Sequence, residues 1–96
     1  MFVMLLHYKK PLDQIDEYLG AHRAFLEEGY KNNYFIVSGP QKPRTGGVVI
    51  SQLTDRAQLE AIIKQDPFCI HGLAEYQLIE FTPVMCDEGF MDYIPE

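Results

Sequence analysis

The sequence has 96 residues, enough for one domain with a thin hydrophobic core. Hydrophobic residues make up 47% of it, but no apolar run approaches the roughly 20 residues that cross a bilayer, so we expect no membrane span. The formal net charge is −6, from 14 acidic and 8 basic residues without a basic run, so nucleic acid is not an expected partner. The apolar start is short and lacks the basic residues of a signal peptide, which predicts a cytoplasmic location.

The first half of the chain predicts a strand, a helix and a second strand. Residues 2–8 form a short apolar run rich in β-favouring side chains. Asp13 is a suitable N-cap for a helix that runs to about Glu28, and Gly29 is a typical helix stop. The second strand is predicted over residues 34–37.

The second half predicts a third strand, a second helix and a fourth strand. The strands are predicted over residues 47–53 and 75–82, and the helix runs from a cap at Thr54 or Asp55 to about Asp66. The resulting order, β-α-β-β-α-β, is that of the ferredoxin-like α+β fold. Right-handed crossovers would place both helices on one face of the sheet.

The predicted strands are apolar on both faces, in the runs 3–6, 35–37 and 48–50. Two helices cover only one face, so the other face needs a different cover. We assign residues 1–83 to the ferredoxin-like domain and residues 84–96 to an acidic and aromatic tail, which is short for covering a four-stranded sheet. We therefore expect a homodimer in which two copies pack through their open sheet faces.

Each predicted helix carries one ionisable residue on its apolar face. His22 lies seven residues after Ile15, and Asp66 lies seven residues after Leu59, so each falls on its helix's apolar stripe. A buried carboxylate needs a partner, so we expect the two side chains to meet. Such a pair would orient the imidazole and leave its other nitrogen for proton transfer. It could equally be a polar tie between two helices, and both interpretations remain open.

A second group of residues, around the loop between strands two and three, could bind a ligand. It consists of Ser38, Gly39, Pro40, Arg44 and Gly47. Glycines let a ligand approach the backbone, a serine supplies a hydroxyl, and a guanidinium matches a carboxylate. The same residues are also ordinary turn formers and a solvated loop charge.

The remaining cysteines and histidines carry weaker signals. Cys69 and Cys86 match no zinc or redox spacing, so we expect two free thiols, with Cys69 a small buried residue rather than a nucleophile. His7 and His71 have no metal-ligand spacing with His22, so no metal site and no cofactor is expected. The tyrosines of the predicted strands, Tyr8, Tyr34 and Tyr76, are interpreted simply as strand residues.

Several stretches together resemble the YCII-related domain family over residues 1 to about 83. They are His22 to Leu26, Ser38 to Pro40, Gly46-Gly47, Asp66 to Phe68, and Gly72. The resemblance implies a dimeric ferredoxin-like α/β barrel. It also implies a pocket in which a histidine and an aspartate, here His22 and Asp66, act as a catalytic pair. One characterised member of the family is a dehydrochlorinase of a chlorinated hydroxyhydroquinone.

These observations predict a small-molecule enzyme that needs no cofactor. His22 would be the general acid/base, oriented by Asp66, in an elimination or isomerisation of a small ring compound. The alternative is a non-catalytic module of the same fold that binds a metabolite or a partner. The fold does not decide between them, because it supports many unrelated activities.

Overall fold

The computed structural model describes residues 1–95. The strands are β1 (Phe2–Tyr8), β2 (Phe35–Pro40), β3 (Gly46–Ser51) and β4 (Ala74–Glu80). The helices are α1 (Leu12–Glu17), α2 (Leu19–Lys31), α3 (Arg56–Ile63) and α4 (Pro67–Ile70), and a 3-10 turn follows at Glu88–Tyr93. The strands form one antiparallel sheet in the order β2-β3-β1-β4. This arrangement confirms the predicted ferredoxin-like α+β fold.

The first predicted helix is in fact two helices. The backbone breaks at Tyr18, which separates α1 from α2, and α1 begins after Pro11 instead of being capped by Asp13. The prediction that Gly29 ends the helix was also wrong, because α2 continues to Lys31. A Cβ at Gly29 would collide with the ring of Phe35, so this glycine serves the packing of α2 on β2.

The second predicted helix ends earlier than its apolar pattern indicates. Asp55 caps α3 as expected, accepting the N–H of Ala57 at 3.0 Å, but α3 ends at Ile63. Asp66 does not close this helix. It is the N-cap of the short helix α4, which lies in the stretch predicted as a plain connection.

The second strand is longer than predicted and contains a bulge. Ser38 to Pro40 pair with β3, although their sequence is typical of a turn. The proline is tolerated because β2 is an edge strand. The register shifts between Phe35 and Val37. This shift turns Ser38 to the same side of the sheet as the buried Phe35 and leaves Val37 on the opposite side.

The core lies between one face of the sheet and the helices. Alternate residues of β1 (Phe2, Met4 and Leu6) are buried there against Ile15 of α1 and Leu59 of α3. The helices therefore cover a single face of the sheet, as the topology predicts.

Among residues 1–95, no helix is both long and apolar enough to cross a membrane.

The opposite face of the sheet is apolar and open in the single chain. Val3 and Leu5 point to this side with their β3 partners Ile50 and Val48, and the side chain of Val37 is 54% exposed there. The tail leaves several of its own apolar side chains in solvent, with Val84 85% and Met85 90% exposed. Its last residue, Glu96, lies outside the described residues.

Candidate functional site

His22 and Asp66 meet in the core, as the helix patterns predict. His22 lies on α2, and its Nδ1 is 2.8 Å from Oδ1 of Asp66. Asp66 is fully buried, and His22 is 8% exposed. The expected proximity of the two residues is confirmed, although the aspartate reaches the histidine from the start of α4 and not from the end of α3.

Three hydrogen-bond donors surround the Asp66 carboxylate. Its Oδ1 also accepts the backbone N–H of Phe68 at 3.0 Å, and its Oδ2 accepts the hydroxyl of Tyr76. Burial raises the pKa of Tyr76, and the neighbouring carboxylate raises it further, so its hydroxyl stays protonated and can donate. This is how the fold offsets the cost of burying a carboxylate.

The surroundings of Asp66 determine which nitrogen of His22 carries the proton. An ionised carboxylate only accepts hydrogen bonds, so Nδ1 of His22 must donate to it. Among residues 1–95, Nε2 of His22 has no hydrogen-bond partner, and no buried side-chain nitrogen or oxygen atom is left unpaired. Nε2 therefore carries a free lone pair at an accessible position, which is what a general base requires.

The ring of His22 is held flat against Phe68. The two ring centroids are 4.0 Å apart, and the planes differ by only 7°. Phe68 thus supplies its backbone N–H to Asp66 and its ring to His22. Pro67, at the first position of α4, favours this turn because its ring fixes φ and no N–H is needed there. The Asp-Pro-Phe sequence consequently fixes both members of the pair.

A cavity of about 530 Å³ opens beside His22, between α2 and the inner side of β2 and β3. The five residues predicted to bind a ligand all border it. They are Ser38, Gly39, Pro40, Arg44 and Gly47. His22 and Phe68 border it too, whereas Asp66 lies behind His22 and does not. The structure thus brings the two predicted groups of site residues together, and a role in ligand binding remains a prediction.

Two of these residues already have side-chain partners. The hydroxyl of Ser38 bonds to that of Tyr30, and the guanidinium of Arg44 pairs with Asp16 on α1. The hydrogen bond that Arg44 donates to Asp16 raises the pKa of Arg44 above its ordinary value. Ser38 is not bonded to His22, so these two residues do not form a serine–histidine arrangement for nucleophilic attack.

Tyr76 lies in a strand as predicted, but the prediction missed its hydroxyl, which completes the Asp66 network. Tyr76 pairs with Leu6, whose side chain is buried, so strand alternation would have placed it on the inner face. A buried carboxylate needs several hydrogen-bond donors. The sequence signal for Tyr76 was therefore that a tyrosine on the inner face of β4 could supply one of them.

The other candidate ligands do not form a metal site. His71 stacks on Tyr18, with ring centroids 4.1 Å apart, and His7 is exposed. Cys69 and Cys86 are both free thiols. No three His, Cys, Asp or Glu residues within residues 1–95 are grouped closely enough to hold a metal ion.

Comparisons with known proteins agree with this architecture. Residues 1–82 match the family model of the YCII-related domain. A solved structure of 5-chloro-2-hydroxyhydroquinone dehydrochlorinase from Burkholderia phenoliruptrix AC1100, in complex with 2,5-dihydroxybenzoquinone, superimposes with a TM-score of 0.70. It shares 22% identity, over 84% of this chain and 93% of that chain, a level that establishes a common fold. No curated protein matches the sequence.

Proposed function

The chain belongs to the YCII-related domain family, and we propose that it is a small-molecule enzyme whose general acid/base is His22. One observation carries the proposal: Nδ1 of His22 is paired with the Asp66 carboxylate, and within residues 1–95 Nε2 has no partner, while His22 borders the cavity. An imidazole that donates from Nδ1 has its free lone pair on Nε2. A histidine whose only task was to tie two helices together would not need its second nitrogen at a cavity wall.

The proposed reaction begins with a proton transfer to Nε2 of His22. The lone pair takes a proton from a C–H or O–H group of the substrate, and the electrons of that bond remain on the substrate. In an elimination they form a double bond as a leaving group departs with its own electron pair. In an isomerisation the proton returns to a different atom. Positioned acid/base groups of this kind typically contribute about 10²–10⁴-fold to a rate.

Asp66 supports this step without touching the substrate. When Nε2 takes a proton the ring becomes cationic, and the hydrogen bond between Nδ1 and Oδ1 becomes charge-assisted and stronger. The contacts from Phe68 and Tyr76 keep the carboxylate in place throughout. Asp66 is therefore an orienting residue, and His22 is the residue that reacts.

The cavity suits a small ring compound as substrate. Its volume of about 530 Å³ falls in the usual range of roughly 300–1,000 Å³ for small-molecule sites. Apolar side chains from α2 and α4, including Leu19, Leu26 and Phe68, form one side of it, and residues of β1, β2 and β3 form the other. The dehydrochlorinase of the same fold has a small quinone bound, which supports a search among hydroquinones, quinones and lactones.

Solvent exchange tests this function before the natural substrate is identified. Candidate ring compounds incubated in D₂O with the protein should gain deuterium at an acidic C–H, as followed by proton NMR. His22→Gln should reduce this exchange by about 10²–10⁴-fold, whereas His71→Gln should retain it. Exchange that survives His22→Gln would contradict the proposal. Compounds that bind the cavity without any exchange would favour the non-catalytic binding module.

A further inference from the structure

We propose that the ligand of this cavity carries a negative charge, such as a ring carboxylate or phenolate, and that Arg23 binds that charge. The inference rests on the proposed function for the location of the site and adds the chemical class of its ligand. Arg23 was not among the residues that the sequence pattern predicted for the site, although it follows His22 directly in the chain.

The position of Arg23 on α2 is the first argument. The residues of α2 that border the cavity are Leu19, His22, Arg23 and Leu26. Their spacing of three and four residues describes one side of a helix, so Arg23 belongs to the same lining stripe as the proposed base. An arginine in an otherwise apolar stripe can cover the wall with its methylene groups and present its guanidinium at the mouth.

The charge balance of the lining is the second argument. The protein as a whole carries a net charge of −6, yet no aspartate or glutamate within residues 1–95 borders the cavity. The two permanently charged residues that do border it are both cationic, Arg23 and Arg44. Two acids contact residues of the cavity wall without bordering the cavity themselves: Asp16 on α1 accepts a hydrogen bond from Arg44, and the buried Asp66 pairs with His22.

Of the two arginines, Arg23 is the one available to a ligand. Arg44 is engaged by Asp16, whereas the ion pairs within residues 1–95 include none to Arg23. Glu27, one helical turn further on, is not within ion-pair distance of it. A guanidinium without an internal partner keeps its full hydrogen-bonding capacity for a carboxylate or phenolate oxygen.

A pair of matched probes tests the charge preference directly. Benzoate and benzamide have nearly the same shape and differ in charge, and each can be titrated into the protein at low salt. Binding is followed by the backbone amide shifts of Ser38 and Gly47, at the cavity wall. We expect benzoate to bind at least about tenfold more tightly than benzamide, an effect of roughly 1.4 kcal/mol.

The variants assign the preference to one residue. Arg23→Gln should reduce benzoate affinity to that of benzamide and leave benzamide unchanged. Arg56→Gln, which removes an arginine paired with Glu60 on α3, should leave both affinities as they are. Equal affinities in the native protein, no shifts of the cavity amides with millimolar benzoate, or unchanged selectivity in Arg23→Gln would each overturn the proposal.

The result is separable from the role of His22. The His22→Gln variant should still prefer benzoate, because Arg23 is intact in it. Proton exchange that requires His22, found together with equal binding of benzoate and benzamide, would disprove the anionic ligand while sustaining the general base. Anion selectivity without any proton exchange would sustain the anionic ligand and disprove the general base.

Discussion

Asp66 holds the site together at the scale of single residues. It is fully buried, and its two oxygens accept bonds from His22, Phe68 and Tyr76. The periodic spacing of apolar residues was enough to predict that Asp66 is buried and meets His22. It was not enough to predict Tyr76, because that contact joins α4 to β4 and depends on where the chain lies in three dimensions.

Asp66→Asn should destabilise the protein by about 1–3 kcal/mol, measured by urea unfolding. An asparagine side chain has a single acceptor oxygen, so it leaves either the His22 ring or the Tyr76 hydroxyl without its buried acceptor. Asp55→Asn is the matched control, since Asp55 is an exposed N-cap and asparagine caps equally well. Equal stabilities of the two variants would show that the Asp66 network contributes nothing.

Tyr76 should make the folded state sensitive to alkali. Its pKa is raised in the folded protein, so above about pH 10 the unfolded chain loses the proton while the folded chain retains it. The free energy of unfolding should then fall as pH rises, with a contribution from Tyr76 of up to about 1.4 kcal/mol per pH unit, while the contribution is fully present below that pH.

Chemical denaturation between pH 9 and 11 measures this effect by comparison. Tyr76→Phe should show the shallower decline, since it has no hydroxyl to titrate. Tyr34→Phe, which removes a hydroxyl that makes no hydrogen bond within residues 1–95, should follow the native protein. A decline in Tyr76→Phe as steep as in the native protein would show that the hydroxyl is not held as described.

At the scale of elements, the sequence was informative about type and order and less so about where elements end. The runs of β-favouring residues and the helical stripes predicted four strands and two helical regions correctly, and Asp55 capped α3 as expected. The break at Tyr18 and the start of α4 at Asp66 were missed. Tyr18 stacks on His71, a tertiary contact that has no local pattern. The start of α4 does have a local signal, an aspartate N-cap followed by a proline at the first helical position, but the helix is only four residues long.

The two glycines of α2 should respond oppositely to alanine. Gly29→Ala would place a methyl group into the ring of Phe35 and should cost about 1–3 kcal/mol, in spite of alanine's better helix propensity. Gly20→Ala has open space around the new methyl group and should stabilise by up to about 1 kcal/mol. Thermal unfolding of both variants checks this, and a stabilising Gly29→Ala would contradict the described packing of α2 on β2.

At the scale of the whole molecule, the open sheet face remains to be accounted for. The sequence predicted strands that are apolar on both sides, and the single chain leaves Val3, Leu5 and Val37 without a covering layer. The exposed side chains of the tail, Val84 and Met85, point to no cover from that segment. We propose that a second copy covers this face, sheet against sheet.

Val37→Lys should dissociate the proposed dimer without unfolding the chain. Val37 is 54% exposed in the single chain, so a lysine is tolerated there, but two buried charges at a sheet-to-sheet contact are not. Ile70→Lys, at a side chain 61% exposed on α4, is the control that should remain dimeric. Analytical ultracentrifugation at micromolar concentration decides, and a native protein that sediments as a monomer would refute the dimer.

The tautomer of His22 tests the proposed base most directly, and nitrogen-15 NMR of the imidazole observes it at a pH where the ring is neutral. We expect a proton on Nδ1 and a bare Nε2, and a mixture of tautomers once Asp66→Asn removes the charged acceptor. A proton on Nε2 in the native protein, or a tautomer indifferent to Asp66→Asn, would contradict it, because no base would then face the cavity.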